Sequence, residues 1–215
     1  MDTNTILLKI AIAAIPLVFA ITVHEAAHGW VANKFGDHTA KNLGRITLNP
    51  LKHIDLVGTI ILPIAMLFMS NFIFGYAKPV PVNWNNLRKP RRDMAFVAIA
   101  GPGANLLMAL VWAGIARLTY TGSPNFFHLM AIFGIHINVL LLVLNLIPIP
   151  PLDGSRVVAS FLPRRAALIY NSIEQYGIWI LLLLLISGTL AMVLLPPARH
   201  IIAALQSLFG LPTRL

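Results

Sequence analysis

Cysteine is absent from this chain. Disulfides, thiolate metal sites and a cysteine nucleophile are thereby excluded, so any metal must be held by His, Asp or Glu. Charge is scarce too: 11% of the 215 residues are Asp, Glu, Lys or Arg, where an ordinary soluble domain carries about 25%. Acidic groups are the scarcest, 7 against 16 basic ones. There is no internal repeat, no low-complexity tract and no polar stretch long enough to form a soluble domain of its own.

What fills the chain is apolar. Hydrophobic residues make up 58% and the mean hydropathy is +0.79, the composition of a polytopic membrane protein. The net charge of +9 would suggest a nucleic-acid partner on a soluble protein. In a membrane protein the positive-inside rule accounts for it, and no nucleic acid is expected. The apolar N-terminus is read as a retained span rather than a signal peptide. Asp2 precedes Lys9, no small-residue cleavage site follows, and cleavage would discard His24 and Glu25.

The first span is expected over about Ile6 to Trp30, followed by a polar connector from Gly36 to Lys52. A second apolar stretch, Ile54 to Tyr76, contains Pro63 and has basic residues on both sides. Its 23 residues suffice for one crossing but not two. The expected solution is a helix that enters the membrane and returns as extended chain through Lys78-Pro79-Val80-Pro81-Val82-Asn83, which its prolines bar from a helix. Further spans are expected over Met94 to Leu118 and about His128 to Ile147. A last span, about Gly177 to Leu195, should stop at Pro196-Pro197, with Arg199 to Phe209 lying along the surface as an amphipathic helix.

The predicted fold is thus an all-α polytopic membrane protein. It has about four to five transmembrane helices plus a membrane-entering helix with an extended return strand. Residues 1–215 form a single domain, with its core over 6–156 and the C-terminal span and interfacial helix over 177–211. The loops assigned inside hold twelve of the 16 basic residues, which orients the chain.

The chemistry sits in the first span. His24-Glu25-Ala26-Ala27-His28 places two imidazoles one helical turn apart on one face. That spacing suits one zinc ion, and Glu25 between them is placed to act on water. At 1.5 Å per residue His24 lies roughly 21 Å beyond Ile10 and roughly 15 Å before Lys34. The site is therefore sunk in the bilayer toward the basic, cytoplasmic end, where an ionisable group without a function is a liability. A catalytic zinc needs a third protein ligand. The acidic candidates are Asp55, Asp93 and Asp153. Asp153 is best placed, because it follows an out-to-in span and the broken helix at Pro148-Ile149-Pro150-Pro151 lets its carboxylate turn inward.

Three motifs stand in order: His24-Glu25-x-x-His28, Ala100-Gly101-Pro102-x-x-Asn105, and Asn145-x-x-Pro148-x-x-x-Leu152-Asp153-Gly154. Together they resemble the site-2 protease family of zinc intramembrane proteases over most of Ile6 to Arg156. The resemblance implies that His24, His28 and Asp153 bind one Zn2+ and that Glu25 activates water. It implies a substrate that is a transmembrane helix of another protein in the lipid bilayer. It also gives Asn105 and Asn145 a part in holding the substrate strand or the oxyanion. Hydrogen bonding between helices is the other reading of both asparagines. Lys78 to Asn83 resembles the family's membrane-embedded strand region. Many relatives carry a PDZ or CBS domain; this chain has neither. The implied setting is a cell membrane of bacterial type with the active site toward the cytoplasm. The competing reading of the same His and Asp groups is a divalent-metal transporter, which has no need of Glu25 and for which the expected repeat is absent.

Overall fold

The computed structural model describes residues 3–61 and 77–212. The long helices are α1 (Thr3–Lys34), α3 (Pro90–Thr119), α4 (Phe126–Leu146) and α8 (Thr189–Leu208). Between them lie α2 (Thr39–Asn42), α5 (Asp153–Phe161), α6 (Arg164–Ser172) and α7 (Gly177–Ile186). A π-helical turn covers Leu56–Ile61. The rest of the predicted membrane-entering helix, 62–76, lies outside the described residues. Among the described residues there is no strand, and five stretches are long and apolar enough to cross a membrane: the four long helices and the continuous run Arg164–Ile186. The all-α polytopic expectation is met.

Local chemistry explains the helix ends. Pro90 opens α3 at a position where the missing N–H costs nothing. Asp93 then turns back to accept the Lys89 N–H at 2.8 Å, and Arg92 pairs with its other oxygen. Asn125 caps α4 by accepting the His128 N–H at 3.0 Å.

The α3–α4 contact is the centre of the molecule, and α1, α5 and α8 pack around it. Its core is small-residue packing around one indole: Ala109, Trp112, Ala113, Ala116, Ala131, Ile135 and Val139 are all buried. Lipid tails are as apolar as Leu, so helix association in a bilayer rests on close approach and interhelical hydrogen bonds rather than on water expulsion. Alanines at this contact supply the close approach.

The C-terminal region departs from expectation. Pro196-Pro197 does not end the last span; both prolines lie inside α8, and the chain breaks earlier, at Ser187-Gly188. Each proline removes one intrahelical hydrogen bond. Beyond them, Ala198 and Leu205 are buried in the α3–α4 core, and this packing holds the helix on course past its weak point. The stretch 199–208 is therefore part of a long apolar helix instead of a separate interfacial one, and Phe209 caps it.

Candidate metal centre

α1 brings His24 and His28 to its contact with α3, where both are buried, each 8% exposed. Their outer nitrogens are fixed by α3. His28 Nδ1–H donates to Val97 O at 2.7 Å, and His24 Nδ1–H donates to Asn105 Oδ1 at 2.6 Å. A carbonyl can only accept, so His28 must carry its proton on Nδ1. The Asn105 orientation is set equally firmly, since its Nδ2 donates to Ala20 O at 3.2 Å and Asn138 Oδ1 at 3.0 Å. Asn138 in turn donates to Gly134 O at 2.9 Å. Second-sphere partners of this kind fix a histidine's tautomer and ring angle.

With Nδ1 of each ring bound to α3, the two Nε2 atoms turn toward each other, 3.1 Å apart. Asp153 Oδ2 lies 3.3 Å from each of them. That oxygen is buried and has no hydrogen-bond partner. Three acceptors facing one another in a buried space repel unless a cation sits among them. Ligand atoms about 2.1 Å from a tetrahedral zinc lie about 3.4 Å apart, close to the observed spacings. His24, His28 and Asp153 are the one group of three His or acidic side chains among the described residues that could hold a metal ion.

Two glycines make the convergence possible. A Cβ on Gly101 would overlap His28 Nε2 and lie 2.7 Å from His24 Nε2, so α3 must pass the imidazole pair without a side chain. A Cβ on Gly154 would overlap the Leu146 carbonyl and lie 2.7 Å from Ile147 O. Its absence lets α5 start directly beneath the end of α4, with Asp153 in the first turn. A carboxylate there also meets the positive end of the helix dipole.

The other two aspartates raised by the sequence are engaged elsewhere. Asp55 accepts the Val57 and Gly58 N–H groups at 3.0 and 2.7 Å. Asp93 caps α3 and pairs with Arg92.

Glu25 stands apart from the ligand set. Its Oε2 accepts the Val80 N–H at 2.7 Å, in the non-helical stretch 77–83 that the prolines foretold. Arg45 holds this stretch from the far side, donating to Lys78 O at 2.9 Å and Pro79 O at 3.3 Å. Asp37, fully buried, accepts from the Asn83 N–H at 2.7 Å and from Asn86 Nδ2 at 3.0 Å. Arg156, one turn after Asp153, pairs with Glu174 at 2.7 and 2.6 Å and lies 5.7 Å over the Trp84 ring. It thereby joins α5 to the same irregular wall.

The structure separates the two asparagines. Asn105 is fully buried and both ends of its amide are engaged within the protein, so nothing of it faces a substrate. Asn145 is half-buried on α4, where Nδ2 donates to Leu141 O at 3.0 Å. Asn138 and Arg45 escaped the sequence reading. A lone amide in the apolar run Ile135 to Leu142 is a signal that could have flagged Asn138; nothing local marks Arg45.

Comparison with known proteins places these features in a family context. The family model described as Peptidase family M50 matches residues 113–188, a span that contains Asp153 but not the two histidines. A Bacillus subtilis (strain 168) protein named "Putative zinc metalloprotease YwhC" is 38% identical over 193 residues, covering 85% of this chain and 83% of its own length. A Mycolicibacterium smegmatis protein named "Putative zinc metalloprotease Rip2" is 31% identical over 174 residues, 80% of this chain and 66% of its own. A Methanocaldococcus jannaschii protein named "Putative zinc metalloprotease MJ0611" is 39% identical over 62 residues, 29% of this chain and 31% of its own. No solved structure matches.

Proposed function

The chain belongs to peptidase family M50 and is a zinc metalloendopeptidase, and from that premise we propose that it cleaves transmembrane helices of other membrane proteins within the bilayer. The observation that carries the proposal is the convergence of His24 Nε2, His28 Nε2 and the unpartnered Asp153 Oδ2 inside an apolar helical bundle, with Glu25 left out of the ligand set.

In this reading His24, His28 and Asp153 are the zinc ligands. Zinc held there supplies Lewis acidity, bringing the pKa of water toward 7 and polarising the scissile carbonyl. Glu25 takes the proton of the attacking water and delivers it to the leaving amine. Asn105 serves as a positioning residue that locks the His24 tautomer, in place of the substrate contact its motif suggested, and Asn138 holds Asn105. Asn145 keeps its proposed part at the substrate or oxyanion. We take 6–156 as the protease core of a single membrane-embedded domain and assign the site to the cytoplasmic side by the basic loops.

On a different face of α1 from Glu25, an apolar groove of about 320 Å³ lined by Val23, Ala26, Ala27, Trp30, Ile46 and Leu48 offers an apolar substrate segment a surface to lie along. Such a segment must unwind locally, since a helical peptide bond is shielded by its own hydrogen bonds.

The test uses the full chain in proteoliposomes with a single-span test helix carrying a fluorophore at each end. Glu25→Gln should slow cleavage by about 10²- to 10⁴-fold while zinc stays bound. Cleavage at the parent rate would contradict the assignment. Because the native chain has no cysteine, single introduced cysteines and a membrane-impermeant reagent report which side the site faces.

A further inference from the structure

Proline has no backbone N–H, so Pro79-Val80-Pro81 offers a single donor, the Val80 amide. That donor goes to Glu25 Oε2 at 2.7 Å. Every other tie on the segment serves to hold this amide still. On one side the Lys78 N–H donates to His53 O at 2.9 Å, and Arg45 clasps the Lys78 and Pro79 carbonyls. On the other, the Asn83 N–H is bound by buried Asp37. The Val80 side chain is itself buried at 7% exposure. Its Cγ1 sits where a Cβ on Gly29 would come within 3.0 Å, one turn beyond Glu25 on α1.

Taking Glu25 as the base of the reaction described above, we propose that the Val80 amide is its positioning group. The Pro-Val-Pro segment is a fixed bracket that aims the carboxylate. A free glutamate side chain samples many rotamers, and fixing it costs entropy at each turnover. Anchoring Oε2 meets that cost during folding and leaves Oε1 in one place to receive the proton. A misplacement of about 1 Å at a reacting group costs on the order of 10²-fold in rate. The flanking prolines contribute twice: they stiffen the bracket, and they remove the neighbouring donors that would let Glu25 bind in a second register.

Two measurements test this. The first needs no turnover: hydrogen exchange resolved to single residues in the detergent-solubilised full chain. In Glu25→Ala the Val80 amide should exchange at least tenfold faster than in the parent, with the Lys78 and Asn83 amides unaltered. An unaltered Val80 rate overturns the proposal. The second compares Val80→Pro, which deletes the donor, with Val80→Ala, which shortens the side chain and keeps it, on the doubly labelled test helix. Val80→Pro should show a kcat at least tenfold below that of Val80→Ala, with equal KM and equal bound zinc. Equal kcat values, or a loss of zinc in Val80→Pro alone, overturn the proposal. If Val80→Pro fails to fold, the exchange measurement decides. If the parent cleaves no test helix, the proposed function fails while the exchange result still judges the contact.

Discussion

The two walls of the site are built on different principles. One is helical: His24 and His28 from α1, Val97 O, Gly101 and Asn105 from α3, Asn138 from α4, and Asp153 from the first turn of α5. The other is the irregular chain 77–83 with the 3-10 turn Trp84–Asn86 that follows it, which Arg45, Asp37, the His53 carbonyl and Arg156 hold one contact at a time. Helices satisfy their own backbone, so the first wall needs only close approach and a few buried amides to bring ligands together. Irregular chain has no such ladder, and each buried N–H or carbonyl needs its own partner. On the proposed reading the consequence is a division of labour: the helical wall would hold the metal, and the irregular wall would aim the base. Changes to the first should be read in zinc content, and changes to the second in turnover.

Gly101→Ala should break that division most severely. Its new methyl overlaps His28 Nε2, so zinc affinity should fall by about 100-fold or more, with the helix content by circular dichroism preserved. Parent-like zinc content in this variant would mean that α3 does not pass the imidazoles as closely as described. Next in size is Asn105→Ala. It frees the His24 ring and should weaken zinc by about 10- to 100-fold, measured by competition with a chelator. Asn138→Ala, one bond further out, should follow with a smaller loss in the same assay.

The helical wall was legible in advance because its signals repeat at helical spacing. His24, Glu25 and His28 announce themselves on one turn, and Asp153 follows from a proline-broken span returning to their side. Asn105, expected from its motif at the substrate or oxyanion, makes the hydrogen bonds between helices that were its other reading. Asn138 was equally present in the sequence, but a single amide amid Ile and Leu has no partner until the fold supplies one. The irregular wall was legible only as a negative: prolines forbid a helix at 78–83. That the Val80 amide meets Glu25, 55 residues away, is set by tertiary contacts through Arg45 and Asp37 that no local pattern encodes. Pro196-Pro197 misled in the opposite sense, since a strong local stop signal was overridden by the burial of Ala198 and Leu205.

The smallest expected effect lies on the irregular wall. Burial alone would push the Asp37 carboxyl up, but hydrogen bonds from Thr39, Asn86 and the Asn83 amide outweigh it and hold the group below the usual carboxylate range. A carboxyl depressed in the folded state stabilises fully above its unfolded pKa of about 3.9 and loses that contribution as pH falls through the folded value. Asp37→Asn should therefore speed exchange of the Asn83 amide at pH 6, and its difference from the parent should shrink as pH falls below about 4. A difference that persists unchanged into strong acid would show that charge on Asp37 is not what holds the segment.

The most direct test of the account is bound zinc, measured by elemental analysis on purified protein, in the parent and in Asp153→Ala, with Asp55→Ala and Asp93→Ala beside them. The parent should hold about one zinc per chain. Asp153→Ala should lose it, and the other two variants should keep it. Zinc retained at parent stoichiometry and affinity in Asp153→Ala would contradict the claim that two distant parts of the chain share one ion.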